Sequence, residues 1–206
     1  MKKNLLTAVL MTIVTTVLLG VIYPFVVTGL AQLLFHDKAN GQLITRGGKV
    51  IGSRIIAQPF TGPNYFHPRE SAAGANGYDP TNSGGTNFAP TNKKLIDRVN
   101  ADVATLSTEN PNTPVPVDMV TTSASGLDPD ITPANAYFQA PRVAKARGLS
   151  EQQVQAIVAA HIKGRDLGLL GEPSVNVLEL NLALDAAVPN KTLSDAGLKH
   201  ASGSGQ

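Results

Sequence analysis

No charged residue occurs between Lys3 and Asp37, and this uncharged run constrains the chain more than any other feature. Residues 5–35 include 18 Leu, Ile, Val or Phe. A bilayer core about 30 Å thick needs roughly 20 helical residues. The window 5–23 alone holds 11 of these strongly inserting residues, which together favour the membrane by about 3–7 kcal/mol. Thr7, Thr12, Thr15 and Thr16 are tolerable there because a threonine hydroxyl can bond back to its own helix backbone. Pro24 and Gly29 predict a kink or change of direction toward the far end. As one straight helix the run would measure about 46 Å at 1.5 Å per residue, so it tilts or its last turns leave the membrane. A cleaved signal peptide is the rival reading. Its apolar region is only about 7–15 residues long, so the expectation is an uncleaved single-pass anchor over residues 1–36. Lys2 and Lys3 place the N-terminus in the cytoplasm by the positive-inside rule, and the remainder outside.

Beyond the anchor the chain is electrically balanced. From Asp37 onward there are 15 basic and 15 acidic residues, which does not suit a nucleic-acid binder. No polybasic cluster follows the anchor, so an electrostatic lipid switch is not expected. Cysteine is absent, which excludes a disulfide scaffold, thiolate catalysis and Cys-ligated metal centres.

Local patterns predict one mixed α+β domain over residues 37–190, followed by a polar tail over 191–206. Residues 41–58 read as a β-hairpin turning at Gly47-Gly48. Residues 58–92 carry ten Gly or Pro that forbid long regular elements, yet hold five of the chain's ten aromatics: Phe60, Tyr65, Phe66, Tyr78 and Phe88. Disordered linkers are poor in aromatics, so this is expected to be an ordered loop, and loops of this length are usually functional or interacting. Thr91 opens a helix to about Thr108, with Leu95, Ile96, Val99, Val103 and Leu106 on one stripe. Residues 117–123 read as a short strand. Thr132-Pro133 starts a helix that Pro141 interrupts and Gly148 stops. Ser150 and Gln153 make a capping box, with Leu149 and Val154 as its hydrophobic staple. Residues 175–184 alternate in apolar character and read as a half-buried strand, with helix an alternative at its end.

Residues that could carry chemistry are sparse. His36, His67, His161 and His200 make no metal-ligand spacing with one another. His161 falls on an apolar helical stripe and reads as a core or interface residue. His67, in the aromatic loop, reads as a partner for loop backbone ahead of a catalytic group. Ser83-Gly84-Gly85-Thr86-Asn87 can form an anion nest from its backbone N–H groups, but lacks the frame of a Walker A loop. Asp128-Pro129-Asp130 fits a cation pair or ordinary turn chemistry. Arg142, Lys145 and Arg147 lie near a helix C-terminus and complement its dipole, the alternative being to anchor a partner.

Several strings carry a family resemblance in order along nearly the whole chain: residues 51–66 (IGSRIIAQPFTGPNYF), SGGTN at 83–87, VTTSASGLDP at 120–129, YFQAPRVAKARGL at 137–149 and LGEPSVNVLELNL at 170–182. With the single apolar helix ahead of them, they resemble the C subunit of the Kdp-type potassium-transporting P-type ATPase. One departure is the run His67-Pro68-Arg69-Glu70-Ser71, where that family tends to have Arg-Pro-Ser. The resemblance implies a non-catalytic accessory subunit of a high-affinity K⁺ pump in the cytoplasmic membrane. Its partners would be a channel-like K⁺-selecting subunit, a P-type subunit that hydrolyses ATP, and the lipid bilayer. ATP and K⁺ would be handled by the complex, with no cofactor bound by this chain alone. It also implies the catalytic-chaperone role in which the C subunit raises ATP affinity. The outward topology conflicts with direct nucleotide contact, so any such effect is expected to be allosteric. With the opposite topology, Ser83, Gly84, Gly85, Thr86 and Asn87 become candidate nucleotide contacts. Phe60, Tyr65, Phe66, Tyr78, Phe88 and Arg142 are the expected partner-binding residues, because aromatics remove large apolar area at small rotamer cost. The alternative from another class is a membrane-tethered outer binding domain or hydrolase. The absence of a nucleophile–base–orienter set in the sequence argues against the hydrolase.

Overall fold

The computed structural model describes residues 2–187; the polar tail expected from Lys191 lies outside the described residues. The chain divides into two compact units, Met1–Ser53 and a second from Arg54 onward.

The first unit is dominated by one helical rod. Helix α1 (Lys2–Val17) passes through a π-helical turn (Leu18–Ile22) into α2 (Tyr23–Leu34). Together they make one helix long and apolar enough to cross a membrane, Lys2–Leu34. Pro24 does not break the helix. Its ring would meet the carbonyl four residues back in a regular α-helix, and the turn just before it is widened so that the Tyr23 N–H bonds the Leu18 carbonyl. The threonines bond back as expected, Thr7 to the Lys3 carbonyl at 3.0 Å and Thr12 to Ala8 at 2.9 Å. A short helix α3 (His36–Ala39) follows. The hairpin then forms from β1 (Leu43–Arg46) and β2 (Lys49–Ser53), turning at Gly47-Gly48 with a bulge between Ile44 and Thr45.

The second unit is mixed helix and strand. Helix α4 (Lys93–Glu109) is capped by the Asn92 side chain, one residue after the expected Thr91. A 3₁₀ turn (Val117–Met119) stands where a strand was expected. Buried Asp118 accounts for this. Its carboxylate accepts from Thr132 N at 2.9 Å, Thr132 Oγ1 at 3.0 Å and Asn135 Nδ2 at 3.0 Å, and the tight turn brings it to the start of the next helix. After β3 (Asp130–Ile131), helix α5 (Pro133–Arg147) starts at the Thr132 cap and runs unbroken through Pro141. An interior proline costs about 3 kcal/mol. Phe138, Ala140, Val143 and Ala144 are all buried around it, so packing outweighs the lost bond. Helix α6 (Glu151–Ala160) shows the complete capping box. Strands β4 (Ile162–Lys163) and β5 (Ser174–Asn176) precede α7 (Val177–Ala187).

Most of the stretch expected as a strand at residues 175–184 is α7. Its buried residues Val177, Leu178, Leu180, Asn181 and Leu184 follow the helical spacing of one face. The three short strands form an antiparallel sheet in the order β3-β5-β4. Ile131 and Val175 from it join Ala140, Val143, Val154, Val158, Leu180 and Leu184 of the three helices in one core.

Two glycines with left-handed backbones differ in their surroundings. A Cβ on Gly126 (φ +67) would lie 2.5 Å from the Gly84 carbonyl oxygen and 2.8 Å from Ala73 N. One on Gly148 (φ +68), the C-cap of α5, meets nothing within 4 Å among the described residues. Gly148→Ala is therefore expected to cost about 1 kcal/mol, the left-handed penalty alone. Gly126→Ala is expected to cost more than about 2 kcal/mol. Urea denaturation of each purified variant, followed by tyrosine fluorescence, checks the order.

Candidate functional site

A stretch with so many Gly and Pro pairs its own backbone only in scattered turns, such as Tyr65 N to the Gly62 carbonyl and Asp79 N to the Ala73 carbonyl, so the loop 58–92 also depends on side chains from the helices. Phe66 and His67 show how. Asn181 of α7 accepts from Phe66 N at 2.9 Å and donates to Phe66 O at 2.9 Å. Gln139 of α5 accepts from His67 N at 2.8 Å and donates to His67 O at 3.1 Å. Two arginines extend the hold upstream. Arg142 Nη1 donates to the carbonyls of Pro63 at 2.8 Å and Tyr65 at 2.9 Å, and its Nε pairs with Glu109 at 2.8 Å. Arg147 Nε donates to the Asn64 carbonyl at 2.6 Å, while its Nη2 pairs with Asp185 at 2.9 Å.

The aromatics divide by role. Phe66 is 0% exposed and part of the core. This corrects its assignment as a partner-binding residue, because a side chain closed off by its own fold has no surface to offer. Tyr65 lies under the Arg147 guanidinium, 5.0 Å from ring centroid to Cζ, and its hydroxyl donates to Asp185 at 3.2 Å. Burial and the Asp185 carboxylate push the Tyr65 phenol up. Phe60 packs on Tyr65 with ring centroids 5.4 Å apart. The Tyr78 hydroxyl donates to the Arg69 carbonyl at 2.8 Å. Phe88 is the group at the surface, 39% exposed. Arg142, placed by sequence near a helix end, clamps the loop.

The loop, α4 and α5 enclose a cleft of about 310 Å³ whose lining includes His67, Glu70, Tyr78, Asp102 and Gln139. Glu70 forms an ion pair with Arg98 of α4. Burial raises the Glu70 carboxyl, helped by Asp102 and opposed by Arg98. Tyr78 is pushed up to about 12, by burial and by Glu70. His67 is lowered, by burial and then by Arg142. Its Nε2 lies 2.9 Å from the Gly62 carbonyl, so in the neutral ring that nitrogen carries the proton and donates. Asp102 Oδ2 is buried without a hydrogen-bond partner among the described residues. The cleft can accept donors or positive charge, but its histidine proton is already committed to loop backbone.

The SGGTN segment lies edge to edge against residues 123–126. Ser83 Oγ and Gly84 N both donate to the Ser125 carbonyl, at 2.9 and 2.8 Å. The Gly84 N–H that a nest would turn toward an anion, and the Ser83 hydroxyl beside it, are thus engaged with protein. The Asp128 and Asp130 carboxylates are likewise engaged, with Arg69 at 3.1 Å and with Ser174 at 2.8 Å. Sequence reasoning missed Asn181, Gln139, Asp118 and Asp185. The available sign was a lone amide inside an apolar stretch, as in LELNLAL.

A family model described as the K⁺-transporting ATPase c chain, KdpC, matches residues 5–186. A Koribacter versatilis protein named potassium-transporting ATPase KdpC subunit is 66% identical over 192 residues, covering 93% of this chain and 99% of that protein. Proteins of the same name from Acidobacterium capsulatum and Rhodopseudomonas palustris are 57% and 54% identical, covering 89% and 91% of this chain and 98% and 100% of theirs.

The lowered His67 sets a pH dependence. The unfolded imidazole takes a proton near 6.5, while the folded one resists it to a lower pH. The unfolded state therefore binds more protons in that window, and stability falls as pH drops from 6.5 through the folded value. In His67→Gln this contribution disappears. Melting profiles of parent and variant between about pH 7.5 and 5 are expected to show the shallower loss in the variant.

Proposed function

The chain belongs to the KdpC family, the c chain of the K⁺-transporting ATPase, and on that basis we propose that it works as a non-catalytic subunit holding the pump together and coupling its parts. One observation carries this reading. Five polar side chains are spent on the domain's own backbone and caps: Asn181 and Gln139 on the peptide groups of Phe66 and His67, Arg142 and Arg147 on loop carbonyls, and Asp118 on the start of α5. A domain built this way offers shape and surface to other chains. The partners in this reading are a channel-like K⁺-selecting subunit and a P-type subunit that hydrolyses ATP.

The apolar Lys2–Leu34 helix is read as a single-pass anchor in the cytoplasmic membrane. Lys2 and Lys3 favour a cytoplasmic N-terminus and an outward domain. An outward domain influences ATP use in the P-type subunit by coupling through the complex, since binding at one site changes affinity at another only through states both sites bias. Direct nucleotide binding at Ser83–Asn87 is the less supported reading, because Ser83 and Gly84 already donate to Ser125.

A C-terminal reporter active only in the cytoplasm is expected to stay silent in intact cells, and high activity would reverse the orientation. In purified complex, removing this chain is expected to abolish K⁺-stimulated ATP hydrolysis or weaken it at least several-fold. Calorimetry of the chain alone with ATP is expected to show no binding tighter than roughly 100 μM, about −5.5 kcal/mol. Full activity without the chain would sink the coupling role.

A further inference from the structure

The sequence contains two Asn-Gly pairs, Asn40-Gly41 and Asn76-Gly77. Asparagine followed by glycine is chemically labile in water. The next backbone nitrogen can attack the side-chain carboxamide, and glycine has no Cβ to hinder the approach. Reaction is fastest where both groups are free at once, a carboxamide not held elsewhere and an N–H not donated. The structure treats the two pairs oppositely.

Asn40 is held. Its Nδ2 donates to the His36 carbonyl at 2.7 Å and to Gln32 Oε1 at 3.1 Å, and its Oδ1 accepts from Gln32 Nε2 at 3.3 Å. Gly41 N donates to the Lys38 carbonyl at 3.3 Å. Asn76 is exposed, and neither its carboxamide nor the Gly77 N–H has a hydrogen-bond partner among the described residues. Bonds on either side fix the feet of this small arch: Asp79 N donates to the Ala73 carbonyl at 3.1 Å, and Tyr78 N to Ser71 Oγ at 2.7 Å. The arch also requires its glycine. Gly77 has φ +75, and a Cβ there would lie 3.2 Å from the Ser71 carbonyl oxygen. The fold thus keeps the labile pair at a surface tip, where local opening costs least.

We propose that Asn76 is a site of spontaneous modification. The Gly77 nitrogen forms a bond to Asn76 Cγ, the Cγ–Nδ2 bond breaks, and ammonia leaves carrying the Gly77 amide proton. Water then opens the cyclic imide at either carbonyl, giving aspartate or isoaspartate. Both steps balance with water alone and need no oxidant or reductant. Isoaspartate routes the main chain through the former side chain and so adds one carbon between the two feet. That displaces Tyr78, whose backbone is already left-handed (φ +56) and whose hydroxyl donates to the Arg69 carbonyl at 2.8 Å. Tyr78 lines the cleft beside Glu70, so the cleft wall loosens with it.

The full-length chain in detergent, incubated in mildly alkaline buffer and digested for peptide mass mapping, is expected to gain aspartate and isoaspartate at position 76 at least tenfold faster than at position 40. In guanidinium, where the hydrogen bonds of Asn40 are gone, the two pairs are expected to react at like rates. Equal rates in the native chain, or an Asn76 that stays intact while the denatured chain reacts, overturn the site. A preference that persists in guanidinium assigns the difference to flanking sequence and overturns the structural argument. Asn76→Asp is expected to melt with the parent, since the exposed side chain has no partner to lose, and Asn76→Gln is expected not to change on ageing. The isoaspartate form isolated from aged parent is expected to melt lower. An isoaspartate form that melts with the parent overturns the loosening of the loop.

Discussion

Two side-chain amides do for the loop what a neighbouring strand does in a sheet. Each carboxamide carries an acceptor oxygen and a donor nitrogen, and Asn181 and Gln139 use both on single residues, Phe66 and His67. A buried peptide left unpaired costs about 1–3 kcal/mol per group. Without these amides the loop backbone would have to stay in water, and Phe66 would stay out of the core with it. The two clamps lie on different helices, α7 and α5, so the loop also ties those helices together. The order of dependence is therefore amides, then Phe66, then the packing of the loop over the domain.

The arginines add charge to the same scheme. Arg147 is almost fully buried and has one carboxylate partner, Asp185, which also accepts from Tyr65. A buried cation is tolerable only where its donors are matched. Here the Asn64 carbonyl, the Asp185 carboxylate and the Tyr65 ring face meet it from three sides, and Nη1 is left without a hydrogen-bond partner among the described residues. Arg142 is similarly engaged, with Glu109, two loop carbonyls and Gln139. Both side chains come from the last turns of α5, where cations also complement the helix dipole. The dipole reading made from sequence and the anchoring role are compatible; the thing anchored is the chain's own loop.

What could be read from sequence was local. The Gly47-Gly48 hairpin, the Thr132 and Ser150 caps and the αL stop at Gly148 are each decided within a few residues, and all stand where expected. The failures share one cause, a partner distant in sequence. Residues 175–184 satisfy period two almost as well as the helical period. What selects the helix for most of them is that Asn181 must face inward to meet Phe66, 115 residues earlier. Residues 117–123 have strand-like composition, but Asp118 is called into a turn by Thr132 and Asn135. Pro141 ought to interrupt α5 and does not, because the residues around it are buried against other elements. The cleft was illegible for the same reason: His67 and Glu70 reach Gln139 and Arg98 only through tertiary structure.

The domain thus surrounds an apolar core with buried amides and arginines that hold its own loop. Beyond the anchor its charges cancel, 15 against 15, so long-range steering contributes little to how it meets other chains. Balanced charge and inward amides make one physical arrangement, in which the domain's polar side chains hold its own loop in place.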